Sequence, residues 1–242
     1  MKPKPQVALP TARLVERWDI THDLWVIRLE PSIPFTFKPG QYCSIGKDGV
    51  ERPYSICSAP HEGYLELFIE LVPEGELTPS LYHLHAGDEV TLRPKAKGVF
   101  TMDVGFPNQV LVSTVTGVAP YISWLRDYLH RGASGHRFYL LQGASYEDEF
   151  TYDRELTEMA QSHPDFITYV PTVSRPQEER NRGWQGEQGR ANLLAEKYVD
   201  RSGLDLNTTI VYACGHPGMI EDVKQRFVAK GFKVKEERFW KE

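Results

Sequence analysis

The pattern of apolar residues changes once along the chain, near Asn108, and this change constrains the fold most strongly. Before it, short runs of strand-forming residues alternate with turns that contain Gly, Pro and Asp, which predicts a small antiparallel β-barrel. After it, short apolar runs alternate with segments of helical spacing, which predicts a doubly wound parallel sheet. We therefore predict two domains, an antiparallel β-barrel over residues 1–104 and an α/β domain over residues 105–242.

The local patterns also predict the elements of each domain. In the first domain they predict strands over residues 24–29, 64–72 and 89–93 and a short helix near residues 78–85. In the second they predict strands over residues 109–113, 138–142, 166–170 and 208–213, and helices over residues 121–129, 152–161, 190–197 and 217–229. We interpret the polar, glycine-containing segment 175–189 as a functional loop.

The composition limits the classes of function. The 242 residues are 40% hydrophobic and 25% charged, as in soluble globular proteins. No apolar run is long enough to span a membrane and no hydrophobic signal core follows the basic first residues, so we expect a cytoplasmic protein without membrane insertion. We also expect it to be a monomer. The net charge of −5 argues against a general nucleic-acid binder. Three cysteines without a C-x-x-C pair predict neither a disulfide framework nor a four-cysteine iron–sulfur cluster.

The segment Arg52-Pro53-Tyr54-Ser55 lies in a β-rich part of the first domain. Residues i and i+2 of a strand share a face, so Arg52 and Tyr54 are expected side by side, with Ser55 next to them. A guanidinium suits a phosphate and a tyrosine ring suits a flat heterocycle, so together they could hold both ends of a dinucleotide such as FAD. The alternative is an edge-strand arginine next to a half-buried tyrosine.

A second candidate phosphate site lies in residues 73–80, where the turn at Gly75 leads into a short helix with Thr78 near its start. The N-terminus of a helix presents free N–H groups to anions. The alternative is that Thr78 only caps the helix.

Two further candidates lie at predicted carboxyl ends of parallel strands, where doubly wound sheets bind nucleotides. Residues 113–120 contain Gly117, which lets the backbone approach a ligand closely. In residues 213–219, Cys214 could lie against a reacting ring and Gly215 leaves room for it. The alternative for Cys214 is a small buried residue before a tight turn.

The last candidate follows the predicted strand 166–170. Ser174 and Arg175, followed by Arg180, Arg182 and Arg190, could hold the 2′-phosphate of a nucleotide. The alternative is a solvated loop, which we favour for Arg180.

The order of these motifs resembles that of the ferredoxin–NADP⁺ reductase family, particularly its compact bacterial ferredoxin/flavodoxin reductases, over nearly the whole chain. The matching stretches are Arg52-Pro53-Tyr54-Ser55, Gly75-Glu76-Leu77-Thr78-Pro79, Thr116-Gly117-Val118-Ala119-Pro120, Cys214-Gly215-His216-Pro217 and Glu237-Arg238-Phe239-Trp240. The chain departs from the family pattern at Val115, where glycine is usual, and in having Lys241 and Glu242 after the aromatic pair.

The resemblance implies a role for each motif in FAD binding. Arg52 and Thr78 are expected to bind the pyrophosphate, within motifs that also contribute Pro53, Gly75 and Leu77. Tyr54 is expected to stack on the isoalloxazine, and Ser55 to form a hydrogen bond near its reactive N5. Phe239 is expected to cover the other face of the flavin, with Trp240 near the adenine.

The same resemblance implies the nicotinamide site. Thr116 and Cys214, with Gly117 and Gly215 beside them, are expected to border the nicotinamide. The residues expected to hold the 2′-phosphate are Ser174, Arg175 and Arg182. Glu237 matches an acidic residue that the family uses in proton and electron transfer.

The resemblance thus implies an FAD-dependent oxidoreductase that passes hydride between NADPH and flavin N5 and single electrons to ferredoxin or flavodoxin. The chain has neither the length nor the cysteines for a fused iron–sulfur domain, so we expect a separate carrier. Two alternatives stay open. One is an NAD(P)H:flavin or oxygenase reductase on the same scaffold, and the other is a non-catalytic flavin-binding electron-transfer subunit.

Overall fold

The computed structural model describes residues 9–238. The chain divides into two compact units, Met1–Thr101 and Met102–Glu242. The assignment of functional domains on either side of residue 104 stays a prediction. No helix in the described part of the chain is both long and apolar enough to cross a membrane.

The first unit is a six-stranded antiparallel sheet, as predicted. Its elements are β1 (Thr11–Asp19), β2 (Leu24–Pro31), β3 (Tyr42–Lys47), β4 (Val50–Ser55), β5 (Leu65–Glu70), helix α1 (Thr78–Tyr82) and β6 (Glu89–Leu92). The strand order is β4-β3-β6-β1-β2-β5. The Cys57 N–H, just after β4, donates to the Glu66 carbonyl of β5 at 2.8 Å, so the two ends of the sheet are linked.

Strand β4 owes its position to a tight hairpin. Asp48 and Gly49 both have positive φ angles, 53° and 84°, which matches the two-residue turn whose twist suits antiparallel strands. The turn pairs Lys47 with Val50 and sets the register of β4 on β3. Pro53 has no N–H group to donate to a neighbouring strand. It is tolerated because β4 is the first strand in the order of the sheet and has a hydrogen-bonded neighbour on one side only.

The second unit is a parallel sheet of six strands, with α-helices in the connections. Its strands are β7 (Asn108–Thr114), β8 (Arg137–Ala144), β9 (Ile167–Val173), β10 (Glu187–Gln188), β11 (Thr209–Gly215) and β12 (Lys233–Arg238). Its helices are α2 (Ala119–His130), α3 (Asp153–Ser162), α4 (Ala191–Arg201) and α5 (Pro217–Ala229).

The strand order β10-β9-β8-β7-β11-β12 confirms the doubly wound fold. From β7 the chain runs outward through β8 and β9, and it then crosses to β11 on the other side of β7. The loops that leave β7 and β11 therefore diverge from one point of the sheet, which is where such folds bind ligands.

Four strands have no predicted counterpart: β1, β3, β10 and β12. Strand β12 consists of charged residues apart from Val234, as is common for an edge strand that must not pair with another molecule. Strand β10 has only two residues, and it adds to the sheet edge within the segment that we interpret as a functional loop. Apolar periodicity is too weak in such segments to predict a strand.

Candidate functional site

Strand β4 carries the first group of candidate residues. The Arg52 side chain is half exposed, whereas Tyr54 is half buried. Burial raises the pKa of the Tyr54 phenol, and the charge of Arg52 opposes this rise, as expected if the two side chains lie close together. The strand thus presents a cation next to an aromatic ring.

Ser55 follows on the same strand and is only 7% exposed. No residue in the described range 9–238 forms a hydrogen bond with its hydroxyl group. A hydroxyl group without a partner among these residues is available to a ligand.

The pyrophosphate-loop candidate meets β4 through an ion pair. The Arg52 guanidinium donates to the Glu76 carboxylate, so the structure brings together two motifs that are more than twenty residues apart. Gly75 closes the preceding turn, and its N–H donates to the Val72 carbonyl at 2.8 Å. The Leu77 side chain is buried in the core of the unit, so only its backbone is available to a ligand.

Thr78 has a different role from the helix cap that was the alternative. It is the first residue of α1, and the N-cap is Leu77. The Thr78 hydroxyl donates to the Val72 carbonyl at 3.1 Å and accepts from the Val72 N–H at 2.9 Å. Its only proton is therefore used to close the loop, and donors to an anion here must come from the backbone N–H groups at the start of α1.

In the second unit, the loops after β7 and β11 are packed tightly against each other. A Cβ atom on Gly117 would lie 2.1 Å from the Cys214 carbonyl oxygen, and one on Gly215 would lie 2.3 Å from Thr114 Oγ1. Gly215 also has a φ of +128°, a conformation that favours glycine. The His216 N–H donates to Thr114 Oγ1 at 2.8 Å, which ties the two loops together.

Val115, the departure from the family pattern, lies within this arrangement. Its φ is +43°, in the left-handed region that a β-branched residue rarely adopts. A glycine would adopt this conformation without strain, which gives a physical reason for the glycine that the family usually has there. The neighbouring Thr116 is buried.

Ser113, Cys214 and Glu237 lie in register on β7, β11 and β12. Cys214 is fully buried, and burial, reinforced by the charge of Glu237, raises the pKa of its thiol. The thiol therefore stays protonated and is unsuited to act as a thiolate nucleophile. Burial raises the pKa of Glu237 to about 7, so this carboxyl group can bind or release a proton near neutral pH.

The phosphate-site candidates after β9 meet a tyrosine after β8. Arg175 Nη1 donates to the Tyr146 hydroxyl at 2.8 Å. Arg180 lies over the Tyr146 ring, 3.9 Å from its centroid, and pairs with Asp148 at 2.6 Å. Arg182 instead pairs with Glu179 at 2.9 Å, and its side chain is 79% exposed.

Asn181 holds this loop in place. It is 2% exposed, and its amide nitrogen donates to the carbonyls of Ser145 at 2.9 Å and Arg175 at 2.8 Å. Its amide oxygen accepts from the Glu147 N–H at 2.9 Å. Asn181 therefore ties the first part of segment 175–189 to the loop after β8.

Sequence reasoning did not single out Thr114, Tyr146 or Asn181. Thr114 and Asn181 lie within the candidate segments 113–120 and 175–189, whereas the only signal for Tyr146 was its position after the predicted strand 138–142. Phe239 and Trp240, the predicted stacking residues, lie outside the described residues. Within residues 9–238 all three cysteines are buried without a disulfide, and no cluster of His, Cys, Asp and Glu side chains could hold a metal ion.

Comparison with known proteins identifies the family of the chain. Residues 11–100 match the model of the oxidoreductase FAD-binding domain, and residues 111–225 match that of the oxidoreductase NAD-binding domain. A ferredoxin–NADP reductase of Pseudomonas aeruginosa is 30% identical over 233 residues, which cover 91% of this chain and 88% of that protein. The chain belongs to the ferredoxin–NADP⁺ reductase family.

One further relative is similar in sequence, and one solved structure is similar in fold. A flavodoxin/ferredoxin–NADP reductase of Shigella flexneri is 32% identical over 207 residues, which cover 80% of this chain and 79% of that protein. The crystal structure of a ferredoxin–NADP⁺ reductase from Neisseria gonorrhoeae with bound FAD and NADP has a TM-score of 0.84 at 20% identity. The match covers 97% of this chain and 100% of the Neisseria gonorrhoeae chain.

These matches confirm the predicted family, the two-part fold and an FAD-dependent oxidoreductase that uses a nicotinamide nucleotide. The roles assigned to individual residues stay predictions. The groups on the first unit suit FAD chemically, since they combine a guanidinium, a tyrosine ring and a hydroxyl group without a partner among the described residues.

Proposed function

We propose that the protein passes electrons between NADPH and a separate one-electron carrier, a ferredoxin or a flavodoxin, with FAD held by the first unit. The observation that carries this proposal is the grouping on β4. That strand offers a guanidinium, an aromatic ring and an available hydroxyl, and the loop at Glu76 contacts the same guanidinium.

Arg52 and the backbone N–H groups at the start of α1 would bind the pyrophosphate of FAD. A guanidinium binds phosphate through charge-assisted hydrogen bonds, and a helix start offers N–H groups without internal acceptors. Tyr54 would stack on the isoalloxazine, and the Ser55 hydroxyl would donate a hydrogen bond beside its reactive edge. When bound, FAD supplies the hydride-accepting and one-electron chemistry, which no side chain of this protein can provide.

The loops after β7 and β11 would hold the nicotinamide end of the nucleotide. Gly117 and Gly215 keep the backbone free of side chains at this point of the sheet, and Thr116 and Cys214 would border the ring. The thiol of Cys214 is protonated and fully buried, so it adds no charge at this point of the sheet. Glu237 would hold or release the proton that accompanies electron transfer, because burial raises its pKa to about 7.

Arg175, with Ser174, would bind the 2′-phosphate and so favour NADPH over NADH. Arg182, which pairs with Glu179, would add a second positive charge to this phosphate site. The carrier follows from the relatives, which are named as reductases of ferredoxin or flavodoxin. A monomeric, cytoplasmic protein would suit a diffusing carrier of this kind.

The test is steady-state turnover of the purified chain with NADPH or NADH as donor and ferredoxin or flavodoxin as acceptor. We expect a yellow protein that reduces either carrier and prefers NADPH by about tenfold or more in kcat/KM. Arg175→Ala should abolish most of that preference and leave kcat/KM for NADH unchanged. A protein that does not bind added FAD, or that turns over free flavin but neither carrier, would contradict the proposal.

A further inference from the structure

Each arginine of the loop after β9 already contacts a carboxylate. Arg180 pairs with Asp148, Arg182 pairs with Glu179, and Arg175 Nη1 lies 3.6 Å from Glu178 Oε1. Residues 147–149 and 175–182 together carry five acidic and three basic side chains. The surroundings of these arginines are therefore net negative, which is unusual for a site that should favour a dianionic phosphate.

Glu178 differs from the other carboxylates because it contacts both groups that would receive a phosphate. The Tyr146 hydroxyl donates to Glu178 Oε2, and the same hydroxyl accepts from Arg175 Nη1 at 2.8 Å. The Glu178 carboxylate, the Tyr146 phenol and the Arg175 guanidinium thus form one hydrogen-bonded group. About half of the Arg175 and Glu178 side chains is exposed, so solvent and ligands can reach this group.

We propose that Glu178 is a specificity-determining residue that occupies, as an internal anion, the position of the nucleotide's 2′-phosphate. This inference rests on the proposed function, in which Arg175 binds that phosphate. A 2′-phosphate must either displace the Glu178 carboxylate from Arg175 and Tyr146 or bind next to the negative charge of that carboxylate. Both reduce the affinity of the protein for a nucleotide with a 2′-phosphate. A 2′-hydroxyl carries no charge and can donate a hydrogen bond to a carboxylate, so NAD(H) does not incur this cost. Glu178 therefore lowers the preference for NADP(H) that Arg175 provides.

The matched pair of variants for this test is Glu178→Gln and Glu179→Gln. Both remove one negative charge from adjacent exposed positions, and glutamine can still accept the Tyr146 hydrogen bond. Only the first removes the carboxylate next to Arg175, since Glu179 pairs with Arg182. The ligands are adenosine 2′,5′-bisphosphate and adenosine 5′-monophosphate, which differ only in the 2′-phosphate and report binding without turnover.

Calorimetric titration of the full-length protein at about 150 mM salt measures the effect, because exposed charges separated by more than about 8 Å are largely screened there. We expect Glu178→Gln to tighten adenosine 2′,5′-bisphosphate binding by about three- to tenfold and to change adenosine 5′-monophosphate binding by less than about twofold. Glu179→Gln should change both by less than about twofold. In Glu178→Gln, the ratio of kcat/KM for NADPH to kcat/KM for NADH should rise by the same factor as the affinity for adenosine 2′,5′-bisphosphate.

Two results would overturn the role of Glu178. One is unchanged binding of the bisphosphate in Glu178→Gln, and the other is equal tightening in both variants, which would indicate a general effect of net charge. If either result accompanies normal turnover of the unmodified protein with NADPH, the proposed function stands and only this inference fails. Failure of the unmodified protein to bind either nucleotide or NADPH would overturn both.

Discussion

The two units build their candidate sites in opposite ways. In the first, Arg52, Tyr54 and Ser55 stand on one strand within four residues of each other. In the second, the site forms where two loops meet, and the hydrogen bond between His216 and Thr114 joins residues 102 apart in sequence. Side chains of the first site can therefore be changed one at a time, whereas a change in the loops of the second should alter stability and ligand binding together.

The two sites also share one feature. Arg52 and Arg175 each contact a carboxylate, Glu76 from another loop for Arg52 and Glu178 from the same loop for Arg175. The partner of Arg52 belongs to the loop that is proposed to bind the same pyrophosphate. The partner of Arg175 also binds the Tyr146 hydroxyl, so only the second carboxylate is fixed by two contacts.

The largest expected effect is that of Gly117→Ala, which tests whether the second site depends on backbone packing. The new Cβ atom would lie 2.1 Å from the Cys214 carbonyl oxygen, a backbone atom that cannot rotate away. We expect the free energy of unfolding to fall by about 3 kcal/mol and NADP⁺ binding to weaken as well. Urea denaturation and nucleotide titration of the same preparation measure the two effects.

The control is Gly105→Ala in the same unit, where the new atom would meet only the Asp103 carboxylate at 3.3 Å. A Gly117→Ala protein as stable as this control, with unchanged nucleotide binding, would contradict the packing argument.

Arg52→Ala tests whether a side chain of the first site can be removed with a loss of ligand binding but not of stability. Loss of a charge-assisted phosphate contact should weaken FAD binding by about 1.5–3 kcal/mol, while the stability of the FAD-free protein should change by less than about 0.5 kcal/mol. Fluorescence titration with FAD and urea denaturation separate the two quantities. Arg93→Ala is the matched control, because Arg93 is similarly exposed and pairs with Glu51 in the same sheet. Equal FAD binding by both variants would remove Arg52 from the site.

The raised pKa of Glu237, in the second unit, predicts that the free energy of unfolding depends on pH. Burial raises its pKa from an ordinary 4.5 to about 7, so between these values the folded protein holds a proton that the unfolded chain has lost. The free energy of unfolding must therefore fall as pH rises from about 4.5 to 7, by roughly 1–2 kcal/mol once solvent screening of the partly exposed carboxyl is included.

Glu237→Gln should remove this slope, as measured by urea denaturation at several pH values. Glu236→Gln removes the same charge from a side chain that pairs with Arg238 and Lys224, and it should leave the slope in place. An unchanged slope in Glu237→Gln would assign the pH dependence to another group.

Val115→Gly should have the smallest effect on stability among the variants that test the second unit. Relief of the left-handed strain at Val115 is worth about 1–2 kcal/mol, and the greater freedom of glycine in the unfolded chain offsets about 0.5–1 kcal/mol of it. We expect a net gain of about 0–1.5 kcal/mol by thermal denaturation. A clear loss of stability would mean that the valine side chain packs in the loop and compensates for its backbone strain.

Most of the fold could be predicted because it depends on local pattern. Helix α5 begins and ends at the predicted residues, Pro217 and Ala229, since Pro217 starts a clear helical period. The face shared by Arg52 and Tyr54 follows from the alternation of any strand. Strand β12 could not be predicted in this way, because it is stabilised by pairing with β11 and has almost no apolar periodicity.

The sequence by itself determined the two-part architecture, the family and the chemical groups of each motif, because periodicity, turn residues and motif order are local or sequential properties. Only the tertiary structure decided which distant residues meet: Gly117 with Cys214, His216 with Thr114, and Glu178 with Tyr146 and Arg175. The physical reason is that these contacts depend on strand order and on the path of loops between distant strands. The spacing of residues along the chain encodes neither of them.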